Sequence, residues 1–340
     1  MKEAFLYERL DRGRVRCRLC SHYCLIGQGR RGICGVRENR EGRLFSLVWG
    51  RPVAQNIDPI EKKPLFHFLP GSRSFSIATV GCNLSCRHCQ NADIAQLPKD
   101  RTELFDGLKL KEVEPALVAA AAEEAGCASI AYTYTEPTVF GEYVYDIGLL
   151  ARERGIKNVL VTNGYLSPEA VDKLGGLTDG ANVDLKAFRD EFYRRVCGAR
   201  LEPVLEAIMG LKERGVWLEL TTLIIPGLND SQEELTELVE WIAANPGPAT
   251  PWHVSRFHPD YKLLDSTPTP TASLVRALEI GREAGLEFIY LGNVPGRGGE
   301  ETSCPGCGRV LIQRTGFRVE TNRLQNGACP DCGNRIEGVF

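Results

Sequence analysis

The sequence lacks any apolar stretch long enough for a membrane-spanning helix. Its longest apolar runs are interrupted by charged residues or glycine well before the roughly 20 residues that a transmembrane helix requires. The first residues, MKEAFLYERLDRGR, contain no apolar region typical of a secretory signal. We therefore expect a cytoplasmic protein that does not contact membranes.

The chain also lacks an excess of charge of either sign. Its 41 Lys and Arg residues and 44 Asp and Glu residues give a formal net charge of −3. A surface that generally binds polyanions is therefore not expected, and nucleic acid is not a favoured partner. With 340 residues, 43% of them hydrophobic, the chain has enough apolar side chains for one large domain with small additions.

Cysteine, by contrast, is abundant, with 13 residues in the chain. Because cytoplasmic thiols stay reduced, these residues indicate metal binding rather than disulfides. Cys127 and Cys197 stand alone and are most simply packed apolar residues. The other cysteines form three groups: Cys17, Cys20, Cys24 and Cys34; Cys82, Cys86 and Cys89; and Cys304, Cys307, Cys329 and Cys332. This grouping predicts an N-terminal metal-binding module over residues 1–50, a central domain over 51–300 and a C-terminal module over 301–340.

The C-terminal group has the form CPGCG…CPDCG, which resembles a zinc ribbon. In each half, a glycine after C-x2-C lets backbone N–H groups approach the sulfur atoms. Four thiolates complete a zinc tetrahedron, so a structural zinc site is expected, with a rubredoxin-like iron site or a nucleic-acid-binding ribbon as alternatives. Between the halves, the alternation in RVLIQRTGFRVETNRL predicts a β-hairpin.

The N-terminal group has the spacing C-x2-C-x3-C-x9-C. Four thiolates suit either zinc or an accessory iron–sulfur cluster, and the spacing does not separate the two. Ten arginines lie between Arg9 and Arg43, against only three acidic residues. These arginines either offset the negative charge of a thiolate site or form a docking face for an acidic partner or a phosphate-bearing substrate.

The central region alternates short apolar runs with helical patterns. One of these helices, DSQEELTELVEWIAAN, begins with a capping box formed by Ser231 and Glu234. The runs predict strands at 74–80, 129–135, 158–163, 181–186, 218–225, 251–257 and 288–293. Alternating βα units predict an α/β fold with a parallel sheet, closed or partly closed as a barrel, and functional residues at the C-terminal strand ends.

Polar side chains follow these runs at the predicted C-terminal ends. Because strand ends reach solvent, some of these residues need no further explanation. A cysteine triad, a Glu-Pro and an Asp-x-Lys at the same edge are harder to explain in this way. The residues are Cys82, Cys86 and Cys89 after the first run, then Thr135, Glu136, Thr162, Asn163, Asp184, Lys186, His258 and Asn293 after later ones.

The triad GCNLSCRHC has no fourth cysteine nearby, which indicates a metal centre with one coordination position open. C-x3-C-x2-C after a first strand resembles the signature of the radical S-adenosylmethionine (SAM) enzymes. The resemblance implies a partial (β/α)6-type barrel whose Cys82, Cys86 and Cys89 hold a [4Fe-4S] cluster. It further implies that SAM chelates the fourth iron and is cleaved, by an electron from a ferredoxin- or flavodoxin-type donor, to methionine and a 5′-deoxyadenosyl radical.

The barrel segments YTEP, LVTNGY, NVDLKAF, LIIPGLND and HVSRFHPDY resemble those of pyruvate formate-lyase activating enzymes. His88 stands where the superfamily usually has an aromatic residue that carries the adenine, and its ring can stack in the same way. The remaining SAM contacts that the resemblance implies are Thr135, Glu136, Pro137, Thr162, Asn163, Asp184, Lys186 and His258.

Nearly the whole chain resembles the radical SAM proteins of the AmmeMemoRadiSam system, through CRLCSHYCLIGQGRRGICGVR, KKPLFHFLPG, CQN, YTEP, FHPDY, YLGNVPG and the terminal cysteine pairs. This resemblance implies AMMECR- and Memo-type protein partners. The substrate is open: a protein, as in glycyl-radical activation, a small molecule or a nucleic acid. A non-catalytic metal-binding adaptor is the alternative from another class, but it would have no use for Asp184 and Lys186 at strand ends.

Overall fold

The computed structural model describes residues 1–294 and 298–340. Pro295 and Gly296, which end the quoted segment YLGNVPG, lie outside the described residues. Among the described residues, we find no helix that combines the length and the apolar character needed to cross a membrane.

The N-terminal module consists of two small antiparallel sheets, with strand orders β2-β3-β4 and β1-β6-β5. Cys17 ends β3, while a bridge between Cys20 and Leu166 attaches the following loop to the central domain. The strands are β1 (Lys2–Glu3), β2 (Tyr7–Leu10), β3 (Arg14–Cys17), β4 (Leu25–Ile26), β5 (Arg37–Arg40) and β6 (Arg43–Ser46).

The central domain is built on one eight-stranded sheet whose strands follow chain order from β7 at one edge to β14 at the other. Strands β8 to β14 are parallel, and β7 pairs antiparallel with β8. Their bounds are β7 (Ala54–Pro59), β8 (Arg73–Ala78), β9 (Ser129–Tyr132), β10 (Lys157–Thr162), β11 (Gly180–Asp184), β12 (Trp217–Ile224), β13 (Trp252–Arg256) and β14 (Ile289–Gly292).

All seven strands predicted in this region are present, and together they are the seven parallel strands of the sheet. The predicted number of six βα units in the barrel is therefore not confirmed. The sequence prediction also missed β7, whose segment AQNIDP has three exposed residues out of six and ends in proline. Such a strand has no continuous apolar signal, because it lies at a sheet edge and only one side of it is paired.

Helices connect the consecutive parallel strands, as the βα rhythm predicts. Ser231 caps α9 by accepting a hydrogen bond from the backbone N–H of Glu234, as the predicted capping box requires. The second hydrogen bond of that box, from the Ser231 backbone N–H to the Glu234 carboxylate, is replaced: the carboxylate accepts from Phe188 N (2.7 Å). The helices are α1 (Ala92–Ala95), α2 (Leu97–Asp100), α3 (Thr102–Gly107), α4 (Pro115–Glu124), α5 (Gly141–Glu153), α6 (Pro168–Gly175), α7 (Asp190–Phe192), α8 (Glu202–Glu213), α9 (Gln232–Ala244) and α10 (Thr271–Glu283).

The C-terminal module is a three-stranded antiparallel sheet of β15 (Thr302–Ser303), β16 (Val310–Thr315) and β17 (Arg318–Asn322). The β16–β17 hairpin is the one that the alternating sequence predicts. The module packs on the central domain through an apolar cluster that includes Phe66, Tyr290 and Leu311. Arg314, which is also buried, donates to the backbone oxygen of Phe66 (2.7 Å) and so joins the two parts by a hydrogen bond.

Candidate functional site

The cysteine triad lies on the loop that follows β8. Gly81 begins this loop with a φ of +103°, and a side chain there would come within 2.7 Å of Val36 in the N-terminal module. We call Cys82, Cys86 and Cys89 the central thiols. All three line a cavity of about 560 Å³ in the central domain.

Most of the residues predicted to contact SAM line this same cavity. Pro137 and His258 are not among its described lining residues. Pro137 begins a buried turn (Pro137–Phe140) behind it, and exposed His258 lies 3.2 Å from the side chain of Gln90, which does line it. The predicted residues in the lining are His88, Thr135, Glu136, Thr162, Asn163, Asp184 and Lys186.

Glu136 is the centre of a hydrogen-bond network that joins the ends of β9 and β10. Its buried carboxylate accepts from Thr162 Oγ1 (2.7 Å), Asn163 N (2.8 Å) and Thr138 N (3.0 Å). Burial raises the pKa of Glu136, and these hydrogen bonds oppose that rise. The network holds Thr162 and Asn163 in fixed positions, and Asn163 Nδ2 lies 3.6 Å from the sulfur of Cys82.

Lys186 supplies a partly buried positive charge beside the thiols. Its ammonium donates to Asp184 Oδ2 at 2.7 Å. Burial acts to lower the pKa of Lys186, but the adjacent Asp184 carboxylate opposes this effect, and the pKa is raised. Lys186 therefore stays charged. Its ammonium can stabilise negative charge in the cavity, either on sulfur ligands or on a bound carboxylate.

His88 presents a neutral ring to the cavity. It is 4% exposed, and its Nδ1 atom has no hydrogen-bond partner. Burial, together with the nearby Lys186 ammonium, lowers the pKa of His88 to about 3. A buried ring nitrogen without a protein partner is rare, and it is free to bind a polar group that enters the cavity.

The central thiols are held protonated by their surroundings. Burial raises the pKa of Cys82, and the Glu136 carboxylate raises it further. A hydrogen bond with Cys197 and burial raise the pKa of Cys86. A metal must therefore displace protons when it binds these thiols, and soft thiolates of this kind select zinc or iron–sulfur clusters.

The same cavity contains a polar group that the sequence prediction did not include among the site residues. Lys63 is 1% exposed and donates to Asp58 Oδ2 (2.7 Å), while its Nζ lies 4.5 Å from the ring centroid of Tyr134. Burial lowers the pKa of Lys63 to about 8, although Asp58 opposes this shift. Tyr134 has a φ of +62°, which is uncommon outside glycine. No sequence pattern marks Asp58, because it lies on the unpredicted strand β7.

The C-terminal cysteines form a compact group. We call Cys304, Cys307, Cys329 and Cys332 the C-terminal thiols. The Sγ atoms of Cys304 and Cys332 are 3.6 Å apart, and those of Cys307 and Cys329 are 3.7 Å apart. Within the described residues, this is the one group of His, Cys, Asp or Glu ligands whose atoms all lie within 4.8 Å of one another. The group has the geometry to hold one metal ion.

The N-terminal cysteines also converge, but less closely. We call Cys17, Cys20, Cys24 and Cys34 the N-terminal thiols. All four line one small cavity of about 10 Å³. The Arg37 side chain lines it too, and pairs with Glu142 through two hydrogen bonds of 2.7 and 2.8 Å.

Comparison with known proteins agrees with this arrangement. Residues 76–242 match the Radical SAM superfamily. An uncharacterized protein of Methanocaldococcus jannaschii is 44% identical over 342 residues, with 100% of both chains covered. A pyruvate formate-lyase-activating enzyme of Streptococcus mutans is 27% identical over 180 residues, and the match covers 51% of this chain and 66% of that enzyme.

The fold is shared with a solved structure, that of Streptococcus suis SuiB bound to precursor peptide SuiA. The TM-score is 0.50 at 17% identity, and the match covers 70% of this chain and 52% of that one. The family match runs from β8 into α9 of the central domain, and this catalytic domain argues against the alternative of a non-catalytic adaptor. The chain therefore belongs to the radical SAM superfamily and is an enzyme of that class, homologous to the pyruvate formate-lyase-activating enzymes.

Proposed function

We propose that the central thiols hold a [4Fe-4S] cluster and that SAM completes the coordination of its fourth iron. The observation that carries this proposal is the cavity of about 560 Å³, which three thiols of one loop share with the partly buried ion pair of Lys186 and Asp184. When bound, the cluster and SAM supply a one-electron cleavage to methionine and a 5′-deoxyadenosyl radical that abstracts a hydrogen atom from the substrate. The thiols, cavity and charge all fit these groups.

In this proposal, different polar residues of the cavity bind different parts of SAM. Lys186 pairs with the carboxylate of SAM and offsets the charge of the thiolates. Asn163, held 3.6 Å from the Cys82 sulfur, hydrogen-bonds the same part of SAM, together with Thr162. The neutral ring of His88 stacks on the adenine, and its free Nδ1 accepts a hydrogen bond from a ribose hydroxyl of SAM.

The remaining predicted residues have supporting roles in this proposal. Glu136 attracts the ammonium of SAM while its hydrogen bonds fix Thr162 and Asn163. Thr135 donates to the Thr79 backbone oxygen at 2.7 Å and so fixes the end of β9. Three residues complete the set: Pro137 shapes the turn behind the cavity, His258 closes the exposed edge beside Gln90, and Asp184 holds Lys186.

The substrate assignment extends the resemblance to the AmmeMemoRadiSam system. We infer that the radical acts on a protein, with AMMECR- and Memo-type proteins as partners and a ferredoxin- or flavodoxin-type protein as electron donor in the cytoplasm. The homology to enzymes that activate pyruvate formate-lyase supports a protein substrate. Radical modification of a small molecule or a nucleic acid requires the same cavity and differs only in what the radical attacks.

Anaerobic turnover tests the proposed function directly. Protein loaded with iron and sulfide, then mixed with dithionite and SAM, is expected to release 5′-deoxyadenosine and methionine in equal amounts. Chromatography of the quenched mixture measures both products. Protein that carries its full iron complement and releases neither product would refute the proposal.

For the C-terminal thiols we propose a structural zinc ion. A zinc–sulfur bond of about 2.3 Å places tetrahedral thiolates about 3.8 Å apart. The observed separations of 3.6 and 3.7 Å agree with that value. Four ligands leave no position open for chemistry, so the ion's role is to hold the hairpin against the central domain.

Replacing Cys304 by alanine is expected to remove one equivalent of zinc and to unfold the C-terminal module. The reason is that structural zinc contributes on the order of 10 kcal/mol of folding free energy in isolated zinc fingers. Zinc analysis and hydrogen exchange across residues 301–340 measure the two effects. Cys127→Ala, another buried cysteine, is the matched control and should change neither. Retention of the zinc by the Cys304→Ala protein would contradict the assignment.

A further inference from the structure

We propose that a second cavity, which the C-terminal module forms together with β13 and β14, binds an extended peptide segment of the substrate protein beside the central thiols. The identity of this segment as the substrate rests on the proposed function, whereas the binding of a peptide does not. The second cavity has a volume of about 750 Å³, and its walls include Phe66, His253, Leu291 and Thr315. Pockets that bind small ligands have volumes of about 300–1,000 Å³.

The second cavity adjoins the cavity of the central thiols. Four residues line both cavities: Lys62, Ser255, Asn293 and Phe317. Ser255 belongs to β13, and Asn293 directly follows β14. Because the two cavities share these walls, a peptide in the second cavity lies next to the space proposed for SAM.

The C-terminal module supplies one wall of the second cavity through the tip of its hairpin, residues 315–317. The tip lines this cavity together with Leu291 of β14. It also lines a further cavity of about 400 Å³ together with Pro59, the last residue of β7. Since β7 and β14 are the two edge strands of the central sheet, the hairpin tip lies between the two edges. The C-terminal module therefore shapes the space in which a substrate meets the central domain.

Two buried polar atoms in the lining of the second cavity have no hydrogen-bond partner among the described residues. They are Oε2 of Glu61 and Nε of Arg314, and both side chains are 0% exposed. Arg314 Nε lies 3.5 Å from Glu61 Oε1, which is longer than a normal hydrogen bond. The other polar atoms are occupied: Glu61 Oε1 accepts from Gly71 N (2.9 Å), and Arg314 donates to the backbone oxygens of Glu300 (3.0 Å) and Phe66 (2.7 Å). A buried donor and a buried acceptor without partners are costly, so a ligand that satisfies both gains affinity.

A single residue of an extended peptide offers the complementary pair of groups. In a β-strand the N–H and the C=O of one residue point to the same side, which is how paired antiparallel residues exchange two hydrogen bonds. The C=O accepts from Arg314 Nε, and the N–H donates to Glu61 Oε2. A free carboxylate is repelled by Glu61 and a free ammonium by Arg314, so the neutral peptide group fits this pair best.

The other walls of the second cavity favour a peptide over a nucleic acid. Phe66 and Leu291 provide apolar surface, and Phe317, which is 49% exposed, adds more where the two cavities meet. An apolar side chain of a peptide can pack against these residues. The phosphates of a nucleic acid would approach Glu61 and Glu300 on a chain whose net charge is already −3.

Calorimetric titration of the iron- and zinc-loaded protein tests the binding. The probe is N-acetyl-leucine methylamide, a single peptide residue with capped ends, and one molecule per chain is expected to bind with a dissociation constant of about 1 mM. In a second probe an ester oxygen replaces the leucine N–H, which removes the donor to Glu61 and should weaken binding about tenfold. Glu61→Gln presents an N–H in place of the free oxygen, so the two probes should bind this variant equally. Equal binding of both probes to the wild type, or no binding at about 10 mM, would overturn the proposal.

A cavity-filling variant locates the binding independently of the Glu61–Arg314 contact, which Glu61→Gln also weakens. Thr315→Trp places a large ring from an exposed strand position into the second cavity, and it should abolish binding of the leucine probe while zinc and iron contents stay unchanged. The matched control is Thr321→Trp, at an exposed position of β17 outside the described lining of the cavity. It should bind the probe as the wild type does. Wild-type affinity in the Thr315→Trp protein would place the peptide elsewhere and overturn the proposal.

Dicytidylate is the probe for a nucleic-acid substrate, because cytosine also carries a donor beside an acceptor. No binding is expected, and binding of dicytidylate in competition with the leucine probe would overturn the peptide assignment. Protein that binds the leucine probe as described but forms no 5′-deoxyadenosine would refute the proposed function alone. Protein that forms 5′-deoxyadenosine but does not bind the probe would refute the peptide site alone.

Discussion

Replacing Cys86 by alanine is expected to reduce 5′-deoxyadenosine formation to below about one thousandth of the wild-type rate, because groups that act as one catalytic unit fail together. Cys86 is one of only three thiols on the cavity loop, and it is 7% exposed. Without it, two thiolates remain to hold a four-iron cluster, and the position at which SAM binds is lost. Iron analysis and product chromatography under dithionite measure the two consequences.

Cys127 provides the matched control for this substitution. It is 5% exposed, so Cys127→Ala removes a thiol of equal burial and should cost similar folding free energy. We expect Cys127→Ala to keep wild-type iron content and activity. A Cys86→Ala protein that still forms 5′-deoxyadenosine at the wild-type rate would show that another group holds the cluster.

Replacing Lys186 by methionine is expected to lower the efficiency of SAM cleavage by about 100-fold. In the proposed function Lys186 donates to the carboxylate of SAM, and a hydrogen bond between charged groups contributes up to about 3 kcal/mol. Each 1.4 kcal/mol corresponds to roughly a factor of ten. The substitution keeps the length of the side chain but leaves the Asp184 carboxylate without its partner at 2.7 Å. It also leaves the negative charge of the sulfur ligands without compensation. The dependence of the cleavage rate on SAM concentration measures the loss.

The control for Lys186 is another lysine paired with an aspartate. Lys157 Nζ lies 2.9 Å from Asp179 Oδ1; this lysine is more exposed than Lys186, and the pair lies outside the cavity lining. Since surface ion pairs contribute at most about 1 kcal/mol, Lys157→Met should leave SAM cleavage unchanged. Equal losses in the two variants would mean that Lys186 acts through the stability of the fold rather than through SAM.

The parallel sheet could be predicted from sequence because its strands are buried on both faces. Every residue of β9 is buried, and runs of this kind remain visible as apolar segments between helices. The edge strand β7 gave no such signal, since three of its residues are exposed. Glu234 was expected to complete a capping box, but its carboxylate instead accepts a hydrogen bond from the backbone N–H of Phe188, which is distant in the sequence.

The site could be predicted where function requires unusual residues in one short segment. The three cysteines of the loop and the Asp184-Lys186 pair are of this kind, and the structure gathers them around one cavity. Lys63 and Tyr134 could not be assigned from sequence, because their position depends on how β7 and the loop after β9 meet.

The measurement that tests the account most directly is electron–nuclear double resonance on the reduced protein with SAM labelled with ¹⁵N at its amino group. Three thiol ligands leave one iron open, so the labelled nitrogen is expected to show a hyperfine coupling that only direct binding to the cluster produces. The Cys86→Ala protein should show none. A reduced wild-type cluster saturated with SAM that shows no nitrogen coupling would contradict the central claim that SAM fills the open position.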